Sequence, residues 1–170
     1  MKRTLYLLLL LLLALPMTSC RGVKERMREK VRFEGIESIR LTGSSSLNID
    51  LRIANESGHK LQLDNAVATL FYKESRVGTM TLKEPVVQPR RTIGALPTQW
   101  TIDLNNPLAA LALVANLQQG NSDLATVSLH LEGKGGPIPI TISREKMPLS
   151  EFLNIFGIKA QDLTQLIKLR

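Results

Sequence analysis

Cys20 is the one cysteine in a chain of 170 residues, and it stands just after an apolar run, Leu5 to Leu15, closed by Pro16-Met17-Thr18-Ser19. A lone thiol cannot form an intrachain disulfide, so its chemistry is that of a free or a modified sulfur. The two histidines, His59 and His130, are far apart in sequence and carry none of the carboxylate or cysteine spacing that a metal site needs. Both read as solvated, His59 beside Gly58 in a turn and His130 on the polar side of a strand. Asp50, Asp64, Asp103 and Asp123 fall on strand faces or in turns, and no spacing selects two of them for acid–base work. Ser44-Ser45-Ser46 lacks both the G-x-S-x-G elbow and the Ser-x-x-Lys pattern, so it reads as a turn. Gly133-Lys134-Gly135-Gly136 has no following helix and no Lys-Ser/Thr pair, which makes it a hairpin joint and not a phosphate cradle. No catalytic residue, metal ligand or cofactor motif emerges, an enzyme is not expected, and no small-molecule substrate is evident. Arg90-Arg91 is the densest positive pair within the domain and lies beside Val86, Val87 and Ile93. It is the candidate contact for an acidic partner or anionic headgroups, weighed equally against charges that only block strand aggregation.

Lys2-Arg3, the apolar run and the small residues before Cys20 describe an export signal. A membrane-spanning helix is disfavoured, because the run is shorter than the ~20 residues a crossing needs and is closed by proline. Met17-Thr18-Ser19-Cys20 resembles the lipobox of bacterial lipoproteins, with Met in place of the usual Leu and Ser in place of the usual Gly or Ala. The resemblance implies cleavage before Cys20, removal of residues 1–19, and acylation of both the Cys20 thiol and the new amine. Several acyl chains, at ~0.8 kcal/mol per buried CH₂, make such an anchor effectively permanent.

Residues 20–34 are charged, lack a dense apolar face and read as a tether with some helical spacing (Glu25–Glu29, Arg26–Lys30). Arg21 is not the Asp that resembles an inner-membrane retention signal, and no acidic cluster follows Cys20. The expected location is therefore the cell envelope, lipid-anchored on the periplasmic face of the outer membrane. The formal charge is +7, and excluding Lys2 and Arg3 leaves +5. That balance suits an anionic membrane surface. Nucleic acid is set aside, since no aromatics are interleaved with the basic residues.

The folded part is read as residues 35–145, with a helical extension at 146–170. Leu47, Ile49, Leu51 and Ile53 alternate with Asn48, Asp50 and Arg52, the period of a half-buried strand. A first strand at 35–42, a strand at 61–72, a hairpin arm Val77–Leu82 and an alternating strand through Trp100, Ile102 and Leu104 extend the pattern. Trp100 is expected in the core. Pro85, Pro89 and Pro97 cannot donate to a ladder, which predicts edges or loops over 84–97. Asn106-Pro107 and Gly120 bracket a predicted helix whose apolar face is Leu108, Leu111, Ala112 and Ala115, widened by Leu113, Val114 and Leu117. Strands resume at 123–132 and 138–142. A short helix at 149–156 stops at Gly157, and a last amphipathic turn is predicted at 162–168.

The order of a strand ending at Asn55, a long strand ending at Tyr72, a Val77-Gly78 arm and a proline-bearing stretch resembles the LEA14/WHy family. This is the group 2 late-embryogenesis-abundant, water-stress and hypersensitive-response domain. The resemblance spans residues 35–143 and departs at Asn55-Glu56-Ser57, where the family usually has Asn-Pro. It implies a mainly-β fold, a fibronectin III/immunoglobulin-like β-sandwich of about seven strands, here with an added helix and short C-terminal helices. It implies no catalytic residues. Two functions are then expected of such a chain. One is a non-enzymatic, membrane-tethered module that binds an envelope protein or serves structurally. The other is a stress-protective protein shielding membranes or proteins.

Overall fold

A computed structural model describes residues 30–122 and 124–158. Cys20, the signal segment, most of the tether, Asp123 and the predicted turn at 162–168 lie outside the described residues. The chain forms β1 (Val31–Leu41), β2 (Ser46–Asn55), β3 (Leu61–Tyr72), β4 (Ser75–Leu82), β5 (Val86–Gln88) and β6 (Thr92–Leu104). Helix α1 (Pro107–Gln118), β7 (Ala125–Gly135), β8 (Ile138–Pro148) and helix α2 (Leu149–Phe156) follow.

All pairings are antiparallel and run β1-β2-β6-β4-β3-β7-β8, with β5 added on β3. Strand β6 pairs with β2 from Thr92 to Thr101 and with β4 from Trp100 to Leu104, so it passes from one layer to the other. The result is a mainly-β sandwich, β1-β2-β6 facing β4-β3-β7-β8, with eight strands where about seven are expected from sequence. Pro97 lies in the half of β6 that is paired on one side only, and β5 pairs with β3 alone. These are the places where a missing N–H does least damage.

Between the layers, Leu47, Ile49 and Trp100 pack against Ala66 and Leu82. The alternation of β2 is therefore inward at its start. Leu51 and Ile53 are only half-buried, Leu51 at the margin of this cluster, and burial returns at Ala54 and Asn55. Trp100 is buried, and its indole Nε1 donates to the Thr98 hydroxyl at 2.7 Å, which donates to the Ile49 carbonyl at 2.7 Å. That chain of bonds leaves no polar atom of the pair unsatisfied.

The same face of β3 and β7 continues beyond this layer and is covered there by the helices. Tyr72, Val77 and Val127 meet Leu113 of α1 and Leu149 and Leu153 of α2. Asn106 caps α1 by accepting from the Ala109 N–H at 3.0 Å, ahead of Pro107. Helix α2 stops at Gly157, which adopts φ 66°. It touches β1, β7 and β8, so it bridges the two edges of the folded sheet. Phe156 stacks edge-on against Phe33 of β1 at 5.3 Å.

Three expectations need correction. The first strand starts at Val31, so residues 31–34 belong to the sandwich and not to the tether; their pairing with Ile53–Asn55 is long-range and leaves no local signal. Residues 146–148 finish β8, and α2 is part of the core, not an extension. Finally, Leu108, Leu111 and Ala115, expected on the inward face of α1, point outward, with Leu108 79% and Leu111 67% exposed. Leu113 is the buried residue. A helix apolar on nearly every side has no amphipathic stripe, so its sequence does not fix which side faces in.

Candidate functional site

The residues with catalytic chemistry are scattered. Asp50 accepts from the Ser38 hydroxyl (2.6 Å) and from Arg40 (2.9 Å). Asp64 accepts from Gln62 and Asp103 from Asn105, each a local turn or strand contact. His130 lies on the outer face of β7 with its Nε2 3.2 Å from Glu132 Oε1. Hydrogen bonds from His130 and then Asn65 hold the Glu132 carboxyl below its ordinary range. Among the described residues no group of three metal-ligating side chains forms.

What the fold does bring together is one end of the sandwich. Strand β3 begins at Leu61, opposite Gln88 of β5 on one side and Gly135 of β7 on the other. Three turns are thereby gathered: Glu56–Lys60, Pro89–Arg91 and the β7–β8 joint. Asn55, without exposure, fastens two of them. Its Nδ2 donates to the carbonyls of His59 (2.9 Å) and Pro89 (2.8 Å), and its Oδ1 accepts from the Ser57 hydroxyl (2.6 Å). The Arg91 N–H donates to the Ser57 carbonyl, and the Gly136 N–H donates to the Lys60 carbonyl at 3.0 Å. Gly133 permits the close approach, since a Cβ there would lie 2.2 Å from the Gln62 carbonyl oxygen.

Between these turns runs an open groove of about 470 Å³ lined by His59, Lys60, Val87, Pro89 and Arg90. Arg91 stands on the adjoining turn and Lys134 at the end of β7. Among the described residues none of Lys60, Arg90, Arg91 and Lys134 is ion-paired. The nearest carboxylate in the turns, Glu56, is taken by Arg32 at 2.9 Å. Strand β1 also begins here, with the Glu56 N–H donating to the Lys30 carbonyl at 2.8 Å. The chain thus enters the domain at its basic end. Arg90 and Arg91 were legible as a pair, whereas His59 and Lys60 join them only through the pairings of β3.

The other end carries α1, between the end of β6 and the start of β7. The helix contains no charged residue. Leu104, at the end of β6 just ahead of the helix, is also 52% exposed. Strand β6 runs from one end to the other, with a contour of roughly 40 Å at 3.2–3.4 Å per residue over its 13 residues.

No family model matches the chain, and no curated protein matches it. Among solved structures, the crystal structure of a protein from Archaeoglobus fulgidus is similar over 66% of this chain and 91% of that one, at 14% identity and a TM-score of 0.45.

Proposed function

We propose that the chain is a non-enzymatic envelope lipoprotein, a β-sandwich tethered through Cys20 that contacts another envelope protein. One observation carries this reading: the chain enters at the basic end, and the charge-free helix with exposed leucines stands at the opposite end. Lys30 lies ten positions after Cys20, a stretch that spans at most ~36 Å at 3.3–3.6 Å per residue. A tether of that length lets unpaired cations lie on an anionic surface while α1 faces away from it. Leu108 and Leu111, one turn apart on a helix without charges, suit a partner with an apolar groove of helix width. The LEA14/WHy kinship belongs to the same proposal, supported by the buried Asn55 at the end of β2 and the buried Tyr72 at the end of β3.

The test is cellular fractionation of the Cys20→Ala chain, with crosslinking from position 108. Loss of lipid label and of stable membrane association is expected. Crosslinks from position 108 should join one partner and vanish in Leu111→Lys. A chain that keeps its native size and full membrane association without Cys20 contradicts the anchor. Absence of any crosslink in intact cells contradicts the partner surface.

A further inference from the structure

We infer that the groove between the turns at 58–60 and 87–90 binds the phosphate of an anionic phospholipid headgroup, resting on the membrane-facing orientation proposed above. The groove is lined by one histidine, one lysine and one arginine, with no carboxylate among its lining residues. Lys60 offers a compact ammonium and Arg90 a planar fork of donors, and the fork can grip two oxygens of a phosphate at once.

The walls are fixed before any ligand arrives. Asn55 bonds to His59 on one wall and to Pro89 on the other, both at under 3 Å, and is itself wholly buried. A groove held in this way loses little conformational freedom on binding. The turn also keeps Arg91 at φ 52°, a left-handed conformation costly for a residue with a side chain. Glycine or asparagine would sit there more easily, so Arg91, beside the groove, holds its cation at a conformational cost.

The surroundings favour a headgroup over a free anion. Val87 is 45% exposed and Ile93 57% exposed, one on each side of the arginine pair. Apolar side chains beside cations match the boundary where headgroups meet acyl chains. A soluble phosphate has no use for them.

The experiment uses the full lipidated chain in nanodiscs, one set of phosphatidylcholine alone and one with a quarter phosphatidylglycerol. Backbone amide shifts of His59, Lys60, Arg90 and Arg91 are compared with those of α1, and Cys20 lipidation is read separately by mass. The expected result is a shift confined to the groove in the anionic discs, lost in Lys60→Gln/Arg90→Gln and kept in Leu108→Lys. Both substituted cations are exposed, so the double variant should fold with an unchanged spectrum elsewhere. Equal shifts from millimolar inorganic phosphate in neutral discs would overturn the headgroup as the source. No shift in either disc, with Cys20 lipidated, would overturn the site and leave the anchor standing. An unlipidated Cys20 would instead remove the anchor, whatever the groove binds.

Discussion

At the end of the sandwich where the chain enters, three turns are tied by directional hydrogen bonds around Asn55, and their cations point into solvent. At the far end, a helix is held mainly by apolar contact through Leu113, and its outer side is as apolar as its inner side. Hydrogen bonds of fixed length set where exposed charges stand. Apolar contact sets only how deep a helix sits. The first arrangement suits recognition of a small charged group, and the second suits a broad surface that another protein covers.

The comparison can be broken most forcefully in the core of the helical end. Leu113→Ala removes the one fully buried residue of α1 and should cost 2–5 kcal/mol, on the order found for buried Leu truncations. Denaturant midpoints measure it. A cost near zero would mean that α1 is not docked on β3 and β4.

Asn55→Ala attacks the other end. It strands the Pro89 carbonyl and the Ser57 N–H, while the Ser57 hydroxyl and the His59 carbonyl keep each other at 3.0 Å, and a loss of about 1–3 kcal/mol is expected. The loss should be accompanied by faster hydrogen exchange at Arg91 and Ser57, and not in α1. Exchange that rises uniformly would deny that Asn55 acts locally.

Much of this was legible in the sequence, and the failures have separate physical causes. The alternation of Leu47 and Ile49, the Asn106-Pro107 cap and the burial of Trp100 depend on neighbours in the chain, and all are found. The start of β1 at Val31 and the meeting of Lys60 with Arg90 depend on pairings between distant strands, which leave no periodicity. The hairpin turn over residues 73–76 is legible in its polarity and is found, but the positive φ of both Lys73 and Glu74 is not foreseen. The turn's chemistry lacks the usual Asn or Gly. The facing of α1 was wrong because seven of its first eight residues are Ala, Leu or Val, so that no side of the helix stood out as polar.

Smaller effects sharpen the contrast. Leu108→Lys with Leu111→Lys should leave stability within about 0.5 kcal/mol per site, as exposed substitutions do. A loss of several kcal/mol would place these leucines in the core. The smallest effect belongs to neither end. His130→Ala should let the Glu132 carboxyl rise toward its ordinary pKa, followed by side-chain NMR. Because the folded value is lowered, its contribution is present above the ordinary carboxylate range and fades as pH falls through the lowered value. An unmoved Glu132 titration would rule out His130 as the main cause.

The central claim is an orientation: basic turns on the membrane, α1 away from it. Spin or fluorescent labels at position 93, beside the arginine pair, and at position 111, on α1, report it directly in the lipidated chain on phosphatidylglycerol-containing vesicles. Lipid-borne quencher should strongly attenuate the label at 93 and leave the label at 111 at its solution value. Quenching of 111 in preference to 93 would invert the molecule and contradict the account.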